Sequence, residues 1–260
     1  MELGLRDKKA IVTGGTKGLG RAITEVFVRE GADVAICARQ EEELTAAAEE
    51  LRSGSTTLYG QVCDVTDPGH VADFVTRSAK VLGGIDILVN NAGRAHPGDF
   101  ETLSDEDWQA DLDVKLFSMI RCSRAVVPHM RARGSGRIIN INAVNGRYPD
   151  PTFFATSVNR AACLSFTKTL AIQLAPENIL VNSVNPGFVV TSQWKNIHRR
   201  RAPHISEEEF FRRMAEKEVP LGRFGRPDEV ASVVVFLASD RASYITGASV
   251  DVAGGMGKYV

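Results

Sequence analysis

Short apolar runs alternate with amphipathic segments along the 260 residues. Short, β-branched apolar runs are typical of buried strands, whereas apolar residues spaced three and four apart indicate helices that face a core. The predicted strands are Lys9–Val12, Ala32–Ala38, Thr57–Cys63, Ile85–Val89, Arg137–Asn142, Ile179–Val184 and Ser249–Val252. The predicted helices are Arg21–Val28, Glu41–Arg52, Asp67–Val81, Asp105–Arg131 and Thr156–Leu174. This alternation predicts an α/β fold, a doubly wound parallel sheet of about seven strands in a single domain over residues 1–260.

A glycine-rich loop joins the first predicted strand to the first predicted helix. It reads Thr-Gly-Gly-Thr-Lys-Gly-Leu-Gly over residues 13–20, one residue wider than the common G-x-G-x-x-G dinucleotide pattern. Glycines let a backbone turn sharply and approach a pyrophosphate, and the N–H groups at a helix N-terminus attract its charge. The strand–loop–helix context therefore predicts a dinucleotide site, with an ordinary tight turn as the alternative.

The end of the second strand bears on which dinucleotide is bound. An acidic residue there would hold the ribose 2′-hydroxyl of NAD and repel a 2′-phosphate. This chain has Cys37-Ala38-Arg39 instead, and Lys17 adds a second positive charge from the glycine loop. Two cations suit a phosphate dianion, so the sequence favours NADPH over NADH. The alternative is that both are solvated surface charges.

Further motifs make the whole chain resemble the short-chain dehydrogenase/reductase family. They are Asp64-Val65, Asn90-Asn91-Ala92-Gly93, Asn185-Pro186-Gly187 followed by Thr191, the segment 222–230, and Ile245-Thr246-Gly247 followed by Asp251. The resemblance implies a Rossmann-type fold, hydride transfer between a ketone or alcohol and NADP(H), and a homotetramer or homodimer that pairs through the long helices. The cofactor-binding residues it implies are Gly14, Thr16, Lys17, Gly18, Leu19, Gly20, Arg39, Asp64, Val65, Asn91, Ala92, Gly93, Arg160, Pro186, Gly187, Val189 and Thr191.

The catalytic positions depart from the family pattern. The family uses a Ser after the fifth strand, a Tyr thirteen positions later, a Lys four after the Tyr, and an Asn in the preceding long helix. The corresponding residues here are Ala143, Thr156, Arg160 and Lys115. We expect Thr156 to orient an oxygen, Arg160 to hold the cofactor ribose, and Lys115 to have a pKa lowered by desolvation beside Arg160. With the neighbouring Asn142, these polar residues form the predicted catalytic set.

The sequence leaves the roles of some residues, and the class of function, open. His96 and Tyr148 could supply a proton or a hydrogen bond, although a loop residue and a rim contact are the simpler interpretations. Lys115 could instead extend to solvent. The functional alternatives are a non-catalytic dinucleotide-binding protein and, less favoured, a lyase on the same fold. The change from Lys to Arg160 resembles halohydrin dehalogenases, but those keep the Ser and Tyr and lose the dinucleotide loop.

Residues 192–219 occupy the place of the family's mobile substrate lid. The segment carries Arg199-Arg200-Arg201, and Phe210, Phe211 and Met214 form an apolar helical face. Three arginines beside a cleft could dock an anionic substrate. The alternative is a solvated charge run balanced by the acidic residues 207–209.

Composition narrows the class of protein. The apolar content of 43% and charged content of 24% are ordinary for a globular protein, and a net charge of −1 argues against nucleic acid as a partner. Four scattered cysteines, with no histidine beside them, indicate buried small residues in a reducing compartment and no metal site. The chain shows no signal peptide and no apolar run of about 20 residues. We therefore expect a cytoplasmic protein that acts on a small molecule without contacting a membrane.

Overall fold

Seven parallel strands form one sheet with helices on both faces in the computed structural model, which describes residues 2–52, 54 and 56–257. The strands are β1 Lys9–Thr13, β2 Asp33–Ala38, β3 Leu58–Val62, β4 Ile87–Asn90, β5 Gly136–Ile141, β6 Ile179–Pro186 and β7 Ser249–Val252. The helices are α1 Gly18–Arg29, α2 Glu41–Leu51, α3 Pro68–Leu82, α4 Asp105–Leu112, α5 Ser118–Arg133, α6 Phe154–Leu174, α7 Ser192–Arg201, α8 Glu207–Glu218 and α9 Pro227–Ala238. The predicted seven-stranded α/β fold is confirmed.

The strand order β3-β2-β1-β4-β5-β6-β7 reverses direction between β1 and β4. The chain winds outward from β1 to β3 and then crosses over to begin again at β4, so the loops after β1 and β4 diverge to opposite faces. Such a switch point opens a crevice at the carboxyl ends of the strands. Its centre is stiff, because Ala10, Ile11 and Val12 are fully buried between two helical layers.

The predicted long helix Asp105–Arg131 is present as continuous helical backbone over residues 105–133, but it is not a uniform α-helix. It consists of α4 and α5, joined by a π-helical turn at Asp113–Phe117. A π turn inserts one extra residue into the helical repeat, and such turns are frequent at functional sites. Asp111 is the buried residue of α4 and Lys115 is the buried residue of the turn, so charged side chains point inward here.

Helix α9 has no counterpart among the predicted elements. It begins with Pro227, and the Glu229 carboxylate accepts a hydrogen bond of 2.7 Å from the Arg226 N–H. Its interior is a nearly unbroken valine-rich run over 230–237. The spacing of apolar residues in such a run does not distinguish a helix from a strand. The helix packs against α1 and closes one face of the sheet.

Two expectations from the composition concern the cysteines and membrane-spanning helices. Cys37, Cys63, Cys122 and Cys163 are all buried free thiols, as predicted. Among the described residues, every helix is too short or too polar to cross a bilayer.

Candidate active site

A cleft of about 1580 Å³ opens at the carboxyl ends of the strands, on the switch point between β1 and β4. All four predicted catalytic residues line it: Lys115, Asn142, Thr156 and Arg160. The predicted cofactor residues that line it are Gly14, Lys17, Gly18, Leu19, Gly20, Asn91, Ala92, Gly93, Arg160, Pro186, Gly187, Val189 and Thr191. Thr16 instead lines a smaller adjoining pocket, and Arg39, Asp64 and Val65 are not among the residues that line either one.

The glycine loop is locked against the loop after β4. Asn91 donates from Nδ2 to the carbonyls of Thr13 and Gly14, at 2.9 and 3.1 Å. Gly14 has a φ of +66°, and a Cβ on Gly20 would lie 2.1 Å from the Gly14 oxygen. Both positions therefore require glycine, which lets the loop pack tightly against the start of α1 and the loop after β4.

The first turn of α1 follows this loop directly, and no capping side chain covers its N–H groups among the residues that the structure describes. Its preceding residue, Lys17, makes no capping hydrogen bond through its side chain. Free N–H groups in a first helical turn, together with the helix dipole, make a site for an anion such as a pyrophosphate.

The two cations predicted to favour a 2′-phosphate lie in different surroundings. Lys17 forms an ion pair with Glu43 of α2, so part of its charge is already neutralised. Arg39 is exposed after β2. Burial opposes ionisation of the nearby Asp64, but hydrogen bonds from Thr66 and the charge of Arg39 lower the pKa of that carboxyl. Arg39 is thus the less encumbered of the two cations.

Lys115 lies at the bottom of the cleft in a network of polar side chains. Its side chain is 1% exposed, and its ammonium contacts the Asp111 carboxylate and donates to Thr156 Oγ1 at 3.0 Å. Asn159 donates to the other oxygen of Asp111 at 2.9 Å. The alternative that Lys115 extends to solvent is wrong for this structure. Lysine and aspartate side chains are almost never buried so completely unless they are paired, as they are here.

The protonation of Lys115 is strongly perturbed. Burial and, to a smaller extent, the positive charge of Arg160 lower the pKa of its ammonium to about 6. The contact with Asp111 favours the protonated form in return. A lysine in this range can release and regain a proton near neutral pH, which an ordinary lysine cannot.

Arg160 and Asn142 form a second group at the opposite side of Thr156. Arg160 donates from Nη1 to the carbonyl of Ile141 at 2.9 Å, and its Nη2 lies against Gly93. Asn142 donates from Nδ2 to the carbonyl of Arg160 at 3.0 Å, which fixes the start of α6 against β5. Arg160 Nε and Asn142 Oδ1 are buried without a hydrogen-bond partner among the described residues. Such orphaned atoms indicate that a ligand or water completes the site.

A buried amide chain supports the two helices that carry these groups. Asn90 donates to Asn140 at 2.8 Å, and Asn140 donates to Thr167 of α6 at 2.9 Å. Because α6 is held through polar contacts with two strands, Thr156 and Arg160 keep a fixed distance from the loop after β4.

The remaining candidates from the sequence also lie at this end of the sheet. Ala143 contributes a methyl group where the family has a Ser, and Tyr148 lies at the rim with its ring against Gly257. His96 lies close to Asp107 and Asp111. The residue that pattern reasoning missed is Asp111. Its spacing of four from Lys115 was the available signal, because residues four apart meet on one helix face.

The charge of the cleft is predominantly positive among the described residues. Its acidic lining residues are Asp150, Glu216 and Glu218. Its basic lining residues are Lys17, Arg94, Lys115, Arg147, Arg160, Arg201 and Lys217. A concave surface of this sign concentrates anions, as a dinucleotide would require.

Known proteins resemble the chain over nearly its whole length. Residues 14–257 match the family model described as Enoyl-(Acyl carrier protein) reductase. The 3-oxoacyl-[acyl-carrier-protein] reductase FabG of Thermotoga maritima is 34% identical, and the match covers 97% of this chain and 98% of that protein.

Two solved structures share the fold. L-Sorbose reductase from Gluconobacter frateurii, complexed with NADPH and L-sorbose, is 35% identical with a TM-score of 0.95 and full coverage of both chains. An NADPH-bound short chain oxidoreductase from Pseudomonas aeruginosa PAO1, described as containing an atypical catalytic center, is 36% identical with a TM-score of 0.91. That match covers 96% of this chain and 97% of the other.

Proposed function

Because this chain belongs to the short-chain dehydrogenase/reductase family, we propose that it is an NADP(H)-dependent oxidoreductase with an atypical proton donor. The observation that carries the proposal is the buried Lys115 ammonium, which reaches Thr156 at the bottom of the cleft. The two solved relatives that bind NADPH support the choice of cofactor.

The cleft fits a dinucleotide in three respects. Gly14 and Gly20 let the glycine loop pack tightly beside the cleft. No side chain of Lys17 caps the first N–H groups of α1, and Arg160 Nε is a buried donor with no partner in the part of the chain that the structure describes. We assign Gly14, Lys17–Gly20 and Asn91–Gly93 to the phosphates and riboses, and residues 186–191 to the nicotinamide side. NADPH, when bound, supplies the hydride.

The protein's own residues then orient and protonate the substrate oxygen. Thr156 is a poor acid, because an aliphatic hydroxyl holds its proton far more tightly than a phenol, so its role is to position the oxygen. Lys115 gives a proton to that oxygen as the carbonyl is reduced. Arg160 keeps its proton, so its charge stabilises negative charge in the site and lowers the pKa of Lys115. Asn142 holds the start of α6, and with it Arg160, in place.

Two carbonyl compounds test the activity and the class of substrate together. L-Sorbose is uncharged, whereas acetoacetyl-coenzyme A is a 3-oxoacyl thioester that carries phosphates. We expect NADPH oxidation with at least one of them. Tight NADPH binding without oxidation of either would favour a non-catalytic binding protein.

We further propose that α7 and α8, within residues 192–219, form a substrate lid. Trp194 of α7 packs against Phe188 and Phe224 at ring distances of 4.6 and 5.1 Å, and Phe211 of α8 joins them at 4.7 Å. Arg201 lines the cleft. Glu209 does not balance the arginine run, because it pairs with Arg212 and Arg213. Arg201 is therefore available to an anionic substrate, which predicts a lower KM for the thioester than for L-sorbose.

The preference for NADPH is expected to depend on Arg39. In Arg39→Ala, the Kd for NADPH should rise about tenfold, since a hydrogen bond to a charged group is worth roughly 1.5–3 kcal/mol. The Kd for NADH should not change, because NADH lacks the 2′-phosphate. Fluorescence titration with both dinucleotides measures this, and Arg77→Ala on α3 is the matched exposed control. Equal weakening of both dinucleotides would show that Arg39 does not contact the phosphate.

We also propose that the chain forms a homodimer or homotetramer through a surface made by the π turn and α6. Phe117, Val158 and Ile172 are exposed apolar residues of the π turn and α6. Burial of such residues between copies would be favourable. The molar mass from light scattering distinguishes a monomer from an oligomer.

A further inference from the structure

Lys115 has to regain a proton after each reduction, and this step is distinct from its donation of a proton to the substrate. Lys115 and Asp111 are buried almost completely, with side-chain exposures of 1% and 0%. When substrate and dinucleotide fill the cleft, the open side of Lys115 is covered. As long as the cleft stays filled, Lys115 can therefore regain its proton only through the protein.

A chain of polar side chains leads from Lys115 to the surface. Asp111 Oδ1 contacts the Lys115 ammonium, and His96 Nδ1 lies 4.0 Å from the same oxygen. His96 Nε2 lies 3.2 Å from Oδ1 of Asp107. The exposed fraction of the side chains increases along this path, from 0% at Asp111 to 19% at His96 and 42% at Asp107.

The loop that carries His96 is anchored beside Thr156. Gly98 donates to the carbonyl of Thr152 at 3.0 Å and accepts from the Phe154 N–H at 3.1 Å. Thr156 donates from its hydroxyl to the His96 carbonyl at 3.3 Å. These bonds hold the imidazole next to the site. The distance of 4.0 Å is long for a hydrogen bond, but catalytic hydrogen bonds in ligand-free enzymes are often long and shorten in the complex.

We propose that His96 and Asp111 form a proton relay that reloads Lys115 from solvent after each reduction. The inference rests on the proposed reductase function. Lys115 loses one proton to the substrate oxygen and becomes a neutral amine. The imidazolium of His96 gives its Nδ1 proton to Asp111 Oδ1, and Asp111 passes a proton to Lys115 Nζ. His96 keeps its Nε2 proton on the side of Asp107, and its vacated Nδ1 takes a proton from solvent when the ring turns outward and then back, so charge and protons balance over the cycle.

A burst experiment separates the return of a proton to Lys115 from the reduction of the substrate. Below about pH 6, Lys115 begins protonated, so the first turnover needs no relay. In His96→Ala, the first turnover should therefore keep the wild-type rate. Later turnovers should slow about tenfold, less than the ~10²–10⁴-fold loss of a whole general acid. Stopped-flow measurement of NADPH oxidation with the better of the two carbonyl probes detects the burst.

Added imidazole and a second variant complete the test. Imidazole should fill the space left in His96→Ala and restore the later turnovers with increasing concentration. Asp111→Asn should be slow in later turnovers and unresponsive to imidazole, because an amide cannot carry the proton. His129→Ala on α5 is the matched histidine control. In the free protein, the ring resonances of His96 should change in Asp111→Asn while those of His129 do not.

The outcomes distinguish this proposal from the function on which it rests. A burst in His96→Ala that imidazole abolishes supports the relay. Wild-type behaviour of His96→Ala, or an equal slowing of first and later turnovers, overturns the relay and leaves the reductase intact. Wild-type protein that oxidises NADPH with neither probe overturns both. NADPH titration of each variant confirms that its cleft is folded.

Discussion

Lys115→Met is expected to lower kcat/KM for carbonyl reduction by about 10²–10⁴-fold, the usual contribution of a general acid. Methionine matches the length of lysine but has no proton to give. The Kd for NADPH should stay within about twofold of the wild-type value, because Lys115 is assigned to the substrate oxygen rather than to the dinucleotide. NADPH oxidation rates and fluorescence titrations on the same preparation measure both quantities.

The control for Lys115→Met has to show whether activity is lost because the proton donor is missing or because the protein is less stable. Removal of one partner of a buried ion pair costs roughly 3–5 kcal/mol, because the other charge is left unpaired. The double variant Lys115→Met/Asp111→Asn removes that unpaired carboxylate, so it should unfold at a higher temperature than the single variant and still be inactive. Lys80→Met on α3 is the matched exposed lysine. Substantial reductase activity in the folded double variant would exclude Lys115 as the acid.

Arg160→Met is expected to weaken NADPH binding about tenfold or more, the loss of a charge-assisted hydrogen bond. The same substitution removes the positive charge that lowers the pKa of Lys115. The pKa of Lys115 should therefore rise in Arg160→Met. The remaining reductase activity of this variant should persist to a higher pH than the activity of the wild type. Titration with NADPH and the pH dependence of kcat/KM measure the two effects.

Arg160→Lys and Arg124→Met are the controls for this residue. Arg160→Lys keeps the charge but shortens the reach to the Ile141 carbonyl, so its pH dependence should stay near that of the wild type while its stability falls. Arg124→Met alters an exposed arginine on α5 and should change neither quantity. If the pH dependence of Arg160→Met matched the wild type, the charge of Arg160 would not act on the acid.

The sheet and the dinucleotide loop were predictable because their physical requirements are local. A buried parallel strand needs an apolar run, as at Ile11 and Val12, and a backbone that approaches a phosphate needs glycine, as at Gly14 and Gly20. The strand bounds differ from the prediction by two residues at most. Ile85 lies before β4 although it is buried, because apolarity reports burial rather than hydrogen bonding to a neighbouring strand.

The environment of the proton donor could not be predicted in the same way. The π turn at Asp113–Phe117 has no signature in the hydrophobic period. The spacing of four places Asp111 and Lys115 on one helix face, but the pattern does not indicate that this face points inward. His96 reaches them from a loop more than ten residues earlier, and only the tertiary fold brings that loop against α6. The ion pair between Lys17 and Glu43 likewise depends on how α2 packs, which no local pattern specifies.

The pH dependence of NADPH oxidation by the wild-type protein, with the better of the two carbonyl probes, tests the central claim most directly. Reduction needs the ammonium form of Lys115, which predominates below its pKa of about 6. We therefore predict that kcat/KM for reduction falls as the pH rises through about 6, and that alcohol oxidation by NADP⁺ rises over the same range. A reduction rate that stays constant up to about pH 9, well above that pKa, would contradict Lys115 as the proton donor.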